Sequence, residues 1–359
     1  MARTWRDLGL PTRDEVWRDL RGMRALAPSR AAKSARRATF QTSLEQAQQF
    51  MEAAAGAGYA TRALHLFYAI SQGGRAIAAA SERLPHTAEP PAGSNRAAKI
   101  VDWRLGGHGI KTSNTEAVHI SETRIRFDGY GLPQGVALAI GVELPGAQGE
   151  FRLGDLWALL PEAHDVPLSA ATIAALSFDG DLVRRRTSNG HDQATLNYVP
   201  RAVRDECGDD REKIREFLDH YPSLNGWAYP FSDGNPVGWS DSPERLYSGL
   251  PIYWKYPVEG TPEFDQLIAA TKATAYRTPT DHWVFPKLGN MTTPMHPLLA
   301  WWTVLLALSI LTRYEPSNWG RAINIDVSPE ANAIEHILDI ALDVLPAIIL
   351  RGIHAAIET

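Results

Sequence analysis

At 359 residues, 44% of them hydrophobic and 21% charged, the chain can hold one large or two ordinary domains and is too apolar to be disordered. Its formal charge of -5 supplies no global attraction to nucleic acid or to an anionic membrane. The single cysteine, Cys207, excludes an internal disulfide and a cysteine-based zinc site, and points to a reducing, cytoplasmic setting.

The opening stretch MARTWRDLGLPTRDE has no apolar core of the kind a secretory signal needs, so none is expected. Residues 1–37 carry ten Arg or Lys against four acids. Such a basic face is ordinarily solvated surface; its alternative use is contact with a nucleotide or nucleic acid. Asp14 to Met23 reads as a short amphipathic helix. Thr42 to Ala57 follows as a second, capped by Thr42 or Ser43 with Glu45 just inside, and stopped by Gly56 and Gly58. The third helix, Thr61 to Leu84, has two stripes. Leu66, Ile70, Gly73, Ile77 and Leu84 share one side, and Leu64, Phe67, Tyr68, Ser71 and Arg75 share the other. A helix apolar on both sides is expected inside the protein.

A Pro-, Gly- and Ser-rich connection spans Pro85 to Gly109, after which the apolar period changes to two. Strands are expected at Glu116 to Phe127, Gly135 to Leu144, Leu182 to Arg186 and Gln193 to Val203, with short helices at Asp155 to Leu160 and Asp209 to His220. Trp227 to Tyr256 holds eight aromatic residues and only two basic ones, which suits packed strands and tight loops better than a base-stacking surface.

Two strong helices close the chain. Pro297 to Thr312 is uncharged but short of the ~20 apolar residues of a membrane span, so it reads as a buried central helix and a membrane role as unlikely. In the last helix Ser328 is the expected cap, Pro329 the first helical position and Pro346 a bend. The sum is an α+β fold: a helical layer built from N- and C-terminal helices with an inserted β-rich middle segment. The expected parts are an N-terminal helical part at 1–110, a β-rich insertion at 111–290 and C-terminal helices at 291–359.

Three stretches, Leu66 to Ala76 (LFYAISQGGRA), Leu105 to Lys111 (LGGHGIK) and His296 to Trp319 (HPLLAWWTVLLALSILTRYEPSNW), resemble the YaaC-like family in order and spacing, from about residue 40 onward. Gly73 and Gly74 on the first of these helices depart from the family's pattern. The resemblance implies a family defined by sequence, with no catalytic signature attached.

Nucleotide-binding loops, zinc-protease, EF-hand and serine-hydrolase motifs are missing, so no cofactor is called for. Arg186 to His191 has the Arg-to-His spacing of the HEPN-type helical ribonucleases, but Ser188, Asn189 and Gly190 mark a turn rather than a helix, so no active site is expected there. The better candidates are cations on apolar faces. Arg75 and Arg313 are expected to be largely inaccessible and bonded to a carboxylate, to carbonyls or to a bound anion. With His108, Lys111 and His296 they form the candidate anion- or ligand-binding set; the competing reading is internal ion pairs. No catalytic set emerges. The first expectation for function is therefore a structural or interaction component of a larger bacterial system, partnered by other proteins or by copies of itself. The alternatives are a nucleic-acid-processing or nucleotide-handling enzyme and, third, a membrane-associated factor.

Overall fold

The computed structural model describes residues 11–85, 103–104, 106–146, 149–179, 191–224, 228–229, 236–240, 246–255, 260–262, 276–277 and 282–358. The expected strand Leu182 to Arg186, most of the Pro85 to Gly109 connection and the Arg186 to His191 spacing, apart from His191, lie outside these.

The fold is α+β. Helix α1 (Arg13–Ala25) starts on a reciprocal cap in which Thr12 Oγ1 accepts from the Glu15 N–H and Glu15 accepts from the Thr12 N–H. Helix α2 (Ser34–Gly56) begins well before the expected Thr42 cap, because the Ala- and Arg-rich approach is itself good helix sequence; Thr42 and Ser43 are interior, and Ser43 is buried. Helix α3 (Tyr59–Ala80) lies among α2, α4, α8 and α10, as its two stripes require.

Glycines on α3 and on the C-terminal helix that packs against it are points of close approach. A Cβ on Gly73 would sit 2.6 Å from Ile349 Cδ1, one on Gly74 would collide with the Trp302 ring, and one on Gly352 would sit 2.6 Å from Ile77 Cδ1.

The expected strand at Gly135 to Leu144 is instead helix α4 (Leu132–Ile140). Pro133 stands in its first turn and Gly141 closes it at φ 74° in the left-handed region. An apolar run this short has no period to tell strand from helix, and the flanking Pro and Gly decide it.

Strands β1 (Ile110–Ser113), β2 (Arg124–Phe127) and β3 (Glu150–Arg152) form an antiparallel sheet in that order. Only the last four residues of the expected strand Glu116 to Phe127 are extended; Ile120–Glu122 form a 3-10 turn. Helix α5 (Leu153–Trp157) follows β3 directly.

A second antiparallel sheet contains β4 (Leu176–Asp179), β5 (His191–Pro200), β6 (Ala228–Tyr229), β7 (Tyr247–Lys255) and β8 (Trp283–Val284), in the order β6-β7-β5-β4-β8. Strand β5 stops at Pro200, before the expected Val203. There the chain turns into α6 (Arg201–Cys207) and then α7 (Arg211–Leu218), which Asp210 caps.

Helix α8 (Pro297–Tyr314) and, after the short α9 (Pro316–Ala322), helix α10 (Ala331–Ile357) complete the helical layer. Both long helices have the length and composition to cross a membrane, yet 72% and 61% of their apolar windows are buried inside the protein, where they pack on α3. Helix α10 starts after the expected Pro329 and runs on through Pro346; Ser328 still accepts the Glu330 N–H.

One large apolar core joins both ends of the chain and also takes in much of residues 103–175. A smaller core under the second sheet gathers Leu176, Leu196, Ile214, Leu250 and Val284.

Candidate functional site

The five sequence candidates do not form one pocket. Arg75 is half-buried rather than inaccessible, and its Nη1 donates to the Arg104 carbonyl at 3.2 Å. Arg313 is likewise half-buried. Its Nε donates to the Ser309 carbonyl of its own helix at 3.1 Å and its guanidinium lies over Tyr314, 5.1 Å from the ring centre. Long arginine side chains at the edge of an apolar face can bury the stem and keep the head near water, which a helical wheel cannot register. His108 and Lys111 are exposed, and Lys111 pairs with Asp128 at 3.3 Å. His296 caps α8, its Nδ1 accepting from the Leu298 N–H at 3.2 Å. Burial, with the Arg351 charge second, lowers its pKa to about 4. His296 and Arg313 stand at opposite ends of α8, roughly 25 Å apart at 1.5 Å per residue. One small anion cannot touch both.

Part of the basic N-terminal face is committed to the fold, while Arg18, Arg21, Lys33 and Arg37 are exposed. Arg13 pairs with Asp343 at 2.7 Å, Arg30 with Glu82 at 2.6 Å, and Arg24 with Glu45. Arg36 is only 1% exposed. It donates to the carbonyls of Ser81 (3.0 Å), Leu84 (2.8 Å) and Pro85 (3.0 Å), just where α3 ends, and lies 5.4 Å from the Trp103 ring. A guanidinium suits this position because its fork reaches several carbonyls left without helical donors.

A buried polar cluster lies where the helical core meets the second sheet. The 3-10 turn Pro161–Ala163 brings in Glu162, and His164 follows it; both are buried. Glu162 accepts from the Tyr276 hydroxyl at 3.0 Å and lies 3.5 Å from Arg277 Nε. Trp301 donates to the same hydroxyl at 2.8 Å, and His336 Nε2 meets the Glu162 carbonyl at 2.9 Å. Burial first, then the Glu162 charge, raises the Tyr276 pKa well above the usual phenol value, so the hydroxyl remains a donor.

His164 faces the other way, into aromatic rings of the second sheet. Its ring centre is 4.3 Å from Tyr198 and 5.4 Å from Trp283, both nearly parallel to it, and 5.2 Å from Tyr247, which stands edge-on. Burial lowers the His164 pKa to about 3, against a small opposing pull from the backbone of Pro161 and Ala175, and neither ring nitrogen makes a hydrogen bond of ordinary geometry. Tyr198 holds φ at 69° beside an irregularity in the β5–β7 register. These groups are fixed in one protonation state near neutral pH. They suit a polar joint between two layers better than proton transfer.

A third feature is a set of exposed apolar side chains on hydrogen-bonded segments. Val118, Tyr314, Ile325 and Val327 are each more than 60% exposed, and they make up four of the seven large apolar side chains most exposed among the described residues. Their segments are hydrogen-bonded to each other. Asn318 donates to the Thr115 carbonyl at 2.6 Å and the Ala117 carbonyl at 3.1 Å, and the buried Glu330 carboxylate accepts the N–H groups of Ile120 and Ser121 at 2.9 and 3.0 Å. Among the described residues, no three of His, Cys, Asp and Glu gather as a metal site.

The family model described as YaaC-like Protein matches residues 19–353. The chain belongs to the YaaC-like family. The match begins in α1, earlier than the resemblance from about residue 40 suggested, and so takes in α2 and Arg36 as well. Neither the comparison with curated proteins nor that with solved structures gave a match.

Sequence reasoning missed Glu162 and His164 in this YaaC-like chain. The available signal was an acid and an imidazole two residues apart (PEAH), between the apolar runs LGDLWALL and VPLSAATIAAL. It missed Arg36 because a cation in a basic stretch reads as solvated.

Proposed function

We propose that this YaaC-like chain is a cytoplasmic interaction component that assembles with copies of itself through the exposed side chains of Val118, Tyr314, Ile325 and Val327. The observation that carries the reading is the exposure of these four apolar side chains on segments that Glu330 and Asn318 hydrogen-bond together. On joined segments such side chains mark contact surfaces, whereas scattered ones need no explanation. The nucleotide-handling alternative has less support, since Arg313 is engaged with its own helix and His296 lies at the far end of α8. A membrane-associated role has less again, because the two apolar helices pack inside the protein.

Light scattering or sedimentation over a range of protein concentrations tests the proposal. The wild type should run at a multiple of 39.5 kDa, and Val118→Asp with Ile325→Asp should run as a monomer of unchanged thermal stability. A wild type that stays monomeric throughout overturns it.

A further inference from the structure

We infer that the outward face of the β1–β2–β3 sheet is a phosphate-binding surface, centred on Arg124 and Arg126. The antiparallel register sets Lys111 opposite Arg126, which is opposite Glu150, and Ser113 opposite Arg124, which is opposite Arg152. Along β2 exposure alternates: Ile125 and Phe127 face the core, while Arg124 and Arg126 face outward. The face therefore holds two directly opposed like-charge pairs, Lys111 with Arg126 and Arg124 with Arg152. Such pairs destabilise a sheet.

The outer cations have internal partners. Lys111 pairs with Asp128 at 3.3 Å, and Arg152 with Asp155 at 2.7 Å and Glu122 at 3.1 Å. The two central arginines have no carboxylate within ion-pair reach among the described residues, Glu150 included. They stand two positions apart on one strand, about 6.6 Å at the usual strand rise, with their forks on the same side.

An oxyanion with several oxygens lying across these forks relieves the repulsion and uses the bidentate geometry of guanidinium. The cations stand in a row across the face, which suits an extended chain of charges, and Phe127 packs on its other side. Contact is therefore to phosphates and independent of base sequence. A nucleic-acid strand and a nucleoside polyphosphate both present this chemistry.

The test uses the full chain, a labelled single-stranded oligonucleotide of mixed sequence, and fluorescence anisotropy between about 50 and about 200 mM salt. Two phosphate contacts predict a slope of log K against log salt of about -1.4, from roughly -0.7 per contact on a single strand. Arg124→Gln with Arg126→Gln should weaken binding at least about tenfold and flatten the slope by that amount. Glu150→Lys, which leaves the arginines in place, should tighten it. Inorganic tripolyphosphate that competes at low concentration assigns the site to a polyphosphate, and failure to compete assigns it to a strand. The inference is overturned if the wild type binds neither probe, if the double variant binds as tightly as wild type, or if poly-glutamate binds more tightly than the oligonucleotide.

Discussion

Trp301 donates its indole N–H to the Tyr276 hydroxyl over 2.8 Å, and that hydroxyl donates to Glu162 over 3.0 Å. One oxygen thus satisfies a donor on α8 and serves a carboxylate on the turn before the second sheet. Tyr276→Phe removes it and leaves both neighbours short of a partner, at a cost of about 1–3 kcal/mol. Chemical denaturation of Tyr276→Phe, Trp301→Phe and the double variant should show coupling of about 1 kcal/mol; strict additivity would mean that the two side chains do not act together.

Leu305 is fully buried in α8. Leu305→Asp places an unpaired carboxylate in the core, at a cost of several kcal/mol against a total stability of about 5–15 kcal/mol. Loss of the cooperative melt, or recovery only in inclusion bodies, is the expected result. A soluble variant with native-like circular dichroism and melting would show that α8 is not the centre of the fold.

Arg36→Met keeps the apolar stem but withdraws donors from three carbonyls at the end of α3, and should cost about 2–4 kcal/mol. Arg36→Lys should restore only part of this, because an ammonium lacks the fork. Arg75→Met, at a half-exposed site, should change stability by less than about 1 kcal/mol. Thermal melts of the three variants rank them.

His164 and His296 are held neutral, with pKa values lowered to about 3 and about 4. The unfolded chain takes up these protons first, near the ordinary histidine value of 6.5. Their contribution is therefore complete above pH ~6.5 and declines as the pH falls from there toward about 4 for His296 and about 3 for His164. His164→Phe should flatten the acid limb of the stability curve while leaving neutral stability equal or higher, because an unbonded buried imidazole is replaced by a ring of similar shape. An acid limb identical to wild type would mean that His164 does not supply the effect.

The helical frame was legible because α3, α8 and α10 carry long apolar patterns, and no local signal competes with their burial. Residues 132–140 were not, since a short apolar run has no period of its own and only the flanking Pro133 and Gly141 mark it as a helix. Side-chain destinations were least legible. Arg36 reads as solvated and Arg75 as inward-facing, yet Arg36 is sealed against the carbonyl end of α3 and Arg75 is only half-buried. The difference is set by residues far along the chain. The same holds for Glu162 and His164, whose partners Tyr276, Trp301, Tyr198 and Trp283 come from four separate segments.

The glycine contacts on α3 also have a temporal side. Gly73 and Gly74 are covered by Ile349 and Trp302, which are synthesised more than 200 residues after them. At ~5–20 residues per second, the apolar flank of α3 waits on the order of ten seconds or more, unburied at the ribosome, before its partners emerge. Nascent chains halted before Pro297 should therefore stay protease-sensitive around α3, and those in which α10 has left the ribosome should not.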